Sequence, residues 1–131
     1  MAKGKRTLTL KVRLPPYCHP RNAWRKEIHK AVVKGQKETN VHFCDGDRLE
    51  LLVRLYFDKV KLSFHDLDNR LKDVMDALQG RAGGSKKKPV LKPIIPNDSQ
   101  VYRATIEKRL TPKSHRRHGG HLAIFRLKER R

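Results

Sequence analysis

Between Thr7 and Leu14 apolar and polar residues alternate, with Leu8, Leu10, Val12 and Leu14 on one side and Thr7, Thr9, Lys11 and Arg13 on the other. A period of two is that of a strand with one buried face. Pro15-Pro16, which cannot donate ladder hydrogen bonds, ends it. The period then changes. From Arg21 to about Lys34, Trp24, Ile28, Ala31 and Val32 recur at three- and four-residue steps, which predicts a helix that packs Trp24 on the sheet and stops at Gly35. A polar loop through Asp45-Gly46-Asp47 leads to a second strand. Its Leu49, Leu51, Val53, Leu55 and Phe57 share one face, and Glu50, Leu52, Arg54 and Tyr56 make a mixed opposite face.

A second helix is expected from about Asp66 to Leu78, with Leu67, Leu71, Val74, Met75 and Leu78 as its apolar stripe and Gly80 closing it. Asp73 and Asp76 read as part of its polar face, ion-paired to nearby Arg and Lys. Strands at about Gln100 to Lys108 and Leu122 to Leu127 complete the order β-α-β-α-β-β. The expected fold class is α/β (α+β), a single two-layer domain over 1–131 with a mixed sheet and its helices largely on one face. A basic loop insertion at about 81–96 separates the second helix from the third strand, and connections of that length are uncommon in compact domains unless functional or mobile.

Charge narrows the function. The chain has 32 Lys and Arg against 13 Asp and Glu, a formal net charge of +19, spread along its whole length. Such a surface meets polyanions by charge neutralisation and counterion release. No apolar run approaches the roughly 18 residues of a membrane span, and the N-terminus lacks the apolar stretch of a secretory signal. Cys18 and Cys44 are too few and too isolated for a disulfide framework or a zinc site. The protein is therefore expected in the cytosol, associated with the nucleoid, with no membrane partner. Lys86, Lys87 and Lys88, with Arg116 and Arg117, are candidate DNA contacts, set against a plain solvated excursion. His115, His118 and His121 stand at three-residue steps, but the glycines beside them argue against a helix that would align them as zinc ligands.

Against that background His65-Asp66-Leu67-Asp68-Asn69-Arg70-Leu71-Lys72 gathers carboxylates where the composition should exclude them. An Asp facing phosphates opposes binding unless a cation sits between them, so the pair suggests a divalent metal site within a nucleic-acid-binding surface. The structural alternative is that Asp66 caps the helix and Asp68 sits near the positive end of its dipole. Asp68 and Lys72 lie four apart, on one helix face.

Asp66-Leu67-Asp68-Asn69, Lys72, Asp76-Ala77-Leu78 and Asn97-Asp98-Ser99-Gln100-Val101 together resemble the signature of the RusA family of Holliday-junction resolvases, over roughly Val53 to Ile106. The resemblance implies a magnesium-dependent endodeoxyribonuclease (with Mn²⁺ as a substitute) that acts as a homodimer on four-way DNA junctions in recombination and repair. It implies metal-binding acids at Asp66, Asp68 and Asp98 and a catalytic lysine at Lys72. His65, Asn69 and Asn97 are candidates to touch substrate or support the ligands. Asn97 stands where the family has an acid, and the link from Gly80 to Asp98 is longer than the family's. The alternative class is a noncatalytic basic nucleic-acid-binding protein, which has no need for the three acids to converge.

Overall fold

A computed structural model describes residues 5–83, 90–113 and 119–128. Strands β1 (Lys5–Leu14), β2 (Arg48–Phe57), β3 (Val101–Leu110) and β4 (Gly120–Lys128) form a mixed sheet in the order β1-β4-β2-β3. β4 runs antiparallel to both of its neighbours, while β2 and β3 are parallel. Parallel neighbours need a crossover, and here it consists of α2 (Lys59–Leu62) and α3 (Leu67–Leu78); α1 (Arg21–Thr39) links β1 to β2. The expected element order is present, with the four-residue α2 as an addition. A 3₁₀ turn at Asp98–Gln100 leads into β3. No helix among the described residues is long and apolar enough to cross a membrane.

The strand register explains why the helices gather on one face. Leu51 and Val53 lie opposite Ile124 and Leu122 of β4, which in turn lie opposite Leu10 and Val12 of β1. The inward rows thus merge into one apolar floor. Trp24, Ile28 and Val32 of α1 and Val74, Ala77 and Leu78 of α3 are fully buried in the core that covers it, at roughly 1.5–3 kcal/mol for each large side chain removed from water. The indole of Trp24 donates to the Pro15 carbonyl at 3.0 Å, so its burial leaves no unmet donor. Leu52 and Tyr56 lie on the opposite, uncovered face and are half-buried.

Two glycines expected to stop helices behave differently. Gly80 ends α3 with φ 78°; its N–H donates to the Ala77 carbonyl and that of Arg81 to the Asp76 carbonyl, the pattern that satisfies orphan carbonyls at a helix end. Gly35 does not end α1. The helix continues to Thr39 and closes at Asn40, in the left-handed region with φ 58°, whose N–H donates to Gln36 O. A side chain at position 35 would run into Val12 of β1, so this glycine permits close packing and leaves helix termination to Asn40. The connection at 81–96, expected as a basic loop insertion, is tied down in its described parts. The amides of Ile94 and Ile95 donate to Leu78 O and that of Leu91 to Gly80 O, and the Ile94 and Ile95 side chains are buried.

The buried face of α3 is Arg70, Asp73, Val74, Ala77 and Leu78, rotated from the stripe expected on apolar residues alone, and Leu71 and Met75 are only half-buried. The reason is Asp73, whose side chain is wholly removed from solvent. A buried carboxylate is tolerable only when it is paired and hydrogen-bonded. Oδ1 accepts from Arg21 Nε at 2.9 Å and Arg25 Nε at 3.0 Å, and Oδ2 faces Arg70 Nε at 3.2 Å. Arg25 reaches on to Asp76 at 3.2 Å. Both acids are indeed ion-paired, but Asp73 belongs to the interior seam between α1 and α3. Asp73→Asn removes a buried charge that pairs with three guanidinium groups, and should destabilise the fold by about 3–5 kcal/mol, the scale for breaking a buried ion pair. Asp76→Asn, at a half-exposed position, should cost less than about 1 kcal/mol. Urea unfolding of the two variants checks the contrast.

Candidate metal centre and nucleic-acid interface

β2 ends at Phe57, and the chain turns through α2 before α3 starts at Leu67, so His65, Asp66, Asp68, Asn69 and Lys72 sit near the C-terminal ends of the parallel strands. Asp66 is the N-cap of α3. One carboxylate oxygen accepts from the Asp68 N–H and the other from Asn69 Nδ2, each at 3.4 Å. The capping role is therefore real, and the long distances leave a weakly held carboxylate. Asp66 and Asp68 are both exposed. Lys72 is exposed too, and no ion pair joins it to Asp68 or to any other described residue. The other closely spaced acids, Asp45 and Asp47, differ: Asp47 accepts from the Cys44 N–H at 2.7 Å and pairs with Arg126 at 3.1 Å, serving a turn.

His65 stands at the centre of an aromatic cluster. Its ring stacks on Phe57 with centroids 4.0 Å apart and planes at 10°, and meets Tyr17 edge-on at 4.7 Å. Its backbone carbonyl accepts from Lys108 Nζ at 2.9 Å. Arg70 approaches Nδ1 at 3.3 Å while lying 4.4 Å over the Tyr17 ring. Because a guanidinium can only donate, Nδ1 accepts and the proton of the neutral ring resides on Nε2. Burial pushes the His65 pKa below its ordinary value, and the positive charges of Arg70, Lys61, Lys108 and His19 push it the same way. Tyr17, Phe57, Asp58, Lys61, His65 and Lys113 help to line a cleft of about 360 Å³ beside the start of α3. A larger depression of about 620 Å³ on the open sheet face has Leu52, Ala123, Arg54 and Glu107 in its walls. Its one acid is already held by Arg54.

Asn97 and Asp98 lie elsewhere. Asn97 caps the 3₁₀ turn: its side-chain oxygen accepts from the Ser99 N–H at 3.0 Å, while its own N–H donates to the Gln100 side chain at 3.0 Å. That commits the amide to the backbone. Gln100 Nε2 donates to the Cys44 and Asp47 carbonyls at 2.7 and 2.9 Å, pinning this segment to the entry of β2. Asp98 is exposed there, at the N-terminal end of β3, whereas Lys108, which touches His65, is near the C-terminal end. The strand from Val101 to Lys108 spans about 23 Å at roughly 3.3 Å per residue. The three acids expected to converge therefore do not do so within one chain. Asp66 and Asp68 are together, and Asp98 is at the opposite end of the sheet. Among the described residues no group of three or more His, Cys, Asp or Glu side chains could hold a metal ion. The physical reason is topological, since α3 carries the chain back along the sheet before β3 begins in parallel with β2.

Lys86, Lys87, Lys88, Arg116 and Arg117, and with them His115 and His118, lie outside the described residues. The residues that periodicity missed are Tyr17, Arg70 and Asp73. Arg70, Asp73 and Val74 fall at the i, i+3, i+4 spacing of a buried face, and that spacing was the available signal once charged residues were allowed inside.

The depressed His65 pKa has a consequence for stability. The folded protein resists protonating a ring that the unfolded chain protonates readily, so the stabilisation is present above about pH 6.5 and is lost as pH falls through the lower folded value. His65→Phe keeps an aromatic stack on Phe57 but does not titrate. The melting temperature of the wild type should fall relative to that of this variant as pH drops below about 6.5, and a constant difference would disprove the assignment. In comparisons with known proteins, no family model matches this chain and no curated sequence is significantly similar to it.

Proposed function

We propose that this protein is a magnesium-dependent, structure-specific endodeoxyribonuclease that binds branched DNA and resolves four-way junctions as a homodimer, at the nucleoid, in recombination and repair. The observation that carries the reading is the start of α3. Asp66 and Asp68 keep exposed carboxylates, with Lys72 one turn on, in a chain of net charge +19 whose buried Asp73 is ion-paired to three arginines.

The donor set fits the ion. Mg²⁺ takes hard oxygen ligands, is commonly held by one or two carboxylates, and keeps several waters. Asp66 and Asp68 would hold it, and the bound ion would activate water and offset charge on the phosphate. The chain's own groups complete the work. Lys72, in no ion pair among the described residues, is available to a phosphate oxygen and stabilises charge that develops there. His65 stays neutral near pH 7 and presents its Nε2 proton as a donor. The surrounding Lys and Arg bring the DNA in by displacing counterions, so binding weakens steeply with added salt.

A nicking assay on a four-way junction, with Mg²⁺ and with EDTA, tests the reading. Cleavage is expected only with the metal. Asp68→Asn should abolish cleavage while junction binding stays the same or tightens, since the substitution removes a negative charge facing phosphates. Lys72→Ala should slow cleavage by about 100-fold or more, the scale for losing one charge-stabilising donor. Salt-sensitive binding without cleavage under any metal condition would leave a noncatalytic basic nucleic-acid-binding protein as the reading.

A further inference from the structure

On the face of the sheet that no helix covers, the strand register lays side chains out in rows across the strands. One row is Lys11, Ala123, Leu52 and Thr105. Ala123 and Leu52 are half-buried and Thr105 is exposed, so the row has an apolar middle open to solvent. The rows on either side carry longer, charged side chains. Arg13, His121, Arg54 and Glu107 form one, and Thr9, Phe125, Glu50 and Arg103 the other, with Arg6 lying 4.0 Å over the Phe125 ring. The low row and the Arg13 row beside it line the depression of about 620 Å³.

Charge on this face is one-sided. Arg6, Lys11, Arg13, Arg54, Arg103 and Arg109 stand on it against Glu50 and Glu107, and both acids are already held, Glu50 by Arg6 and Arg103 and Glu107 by Arg54 and Arg109. Lys11 and Arg13 are exposed and take part in no ion pair among the described residues. An apolar floor beside free cations fits a partner that is apolar along one stripe and acidic beside it.

We propose that this face docks a short amphipathic α-helix of a partner protein, its apolar stripe set on Leu52 and Ala123 and its Asp or Glu side chains turned to the basic rows. The dimensions match. Rows four residues apart along a strand are separated by about 13 Å at roughly 3.3 Å per residue, and a helix with its side chains is about 10–12 Å across. Four strands at about 4.8 Å spacing give the low row a length of about 14 Å, room for about nine helical residues. Apolar anchors at i, i+3, i+4 and i+7 fall within that length. A nucleic-acid strand would match the charge, but its bases bind on open aromatic faces. Here the Phe125 ring lies under Arg6, and Tyr56 meets His121 edge-on with centroids 5.6 Å apart. A second copy would bring the same excess of positive charge and be repelled. Neither the acids at the start of α3 nor any cleavage enters this docking.

The probe is a synthetic peptide of about 15 residues, long enough to form helix in water, with Leu at i, i+3, i+4 and i+7, Glu on both flanks and Ala elsewhere. Comparison probes replace its Glu by Lys or its Leu by Ala, and a single-stranded oligonucleotide is the fourth. Methyl NMR should show saturable shifts at Leu52 and Ala123 with the Leu and Glu peptide, and fluorescence anisotropy should give at least about tenfold weaker binding for either altered peptide. Lys11→Glu combined with Arg13→Glu should weaken binding of the first peptide by about tenfold or more, while Lys26→Glu with Lys30→Glu, at exposed positions on α1, should leave it unchanged. Ala123→Phe fills the depression without altering charge and should also lose the peptide. Melting curves establish that each variant is folded, and the exposed Lys11 and Arg13 pair carries the test if Ala123→Phe unfolds. The absence of a saturable shift at Leu52 and Ala123, or an equal response to the Lys-flanked peptide, overturns the proposal. So does an oligonucleotide that shifts the same methyls more strongly than the peptide, which would assign the face to nucleic acid.

Discussion

The structure turns on one buried carboxylate. Asp73 has no access to water and would be intolerable as an isolated charge. Its position midway along α3 draws Arg21 and Arg25 down from α1 and Arg70 across from its own helix. Arg70 in turn lies over Tyr17 and reaches His65, and the His65 ring rests on Phe57 at the end of β2. A single ion cluster thereby couples the packing angle of the two long helices to the side chains beside the exposed acids. A hydrophobic seam of the same volume could hold the helices as firmly, but it would not present an arginine to His65.

The 13 acids of this chain divide by environment. Several are compensated within the fold: Asp73 by three arginines, Glu50 by Arg6 and Arg103, Asp47 by Arg126, and Glu107 by Arg54 and Arg109. For Glu50, burial pushes the carboxyl up, and the two arginines outweigh it and hold the group below its ordinary value. Asp66, Asp68 and Asp98 remain exposed and outside these pairs.

Topology then limits what one copy can do. A parallel β2–β3 pair requires the chain to return along the sheet, so the motif before α3 and the motif before β3 are forced to opposite ends. Motifs separated by fewer than forty residues in sequence end up a sheet-length apart. Any chemistry that needs both has to draw on two molecules or on a rearranged chain.

Much of the fold was legible in the residues themselves. Alternation placed β1 and β2, three- and four-residue spacing placed α1 and α3, and Gly80 marked a helix end, because each depends on local backbone geometry and on which side chains avoid water. The clustering of Asp66, Asp68, Asn69 and Lys72 at one helix start was equally local. Other features depended on neighbours distant in sequence. Gly35 reads as a stop until Val12 is seen against it. Asn97 reads as a ligand until its side chain is seen capping the turn. Asp73 reads as surface until arginines from another helix surround it. The separation of Asp98 from Asp66 and Asp68 was likewise decided only by tertiary structure, since a motif records order along the chain and the direction in which strands pair determines distance in space.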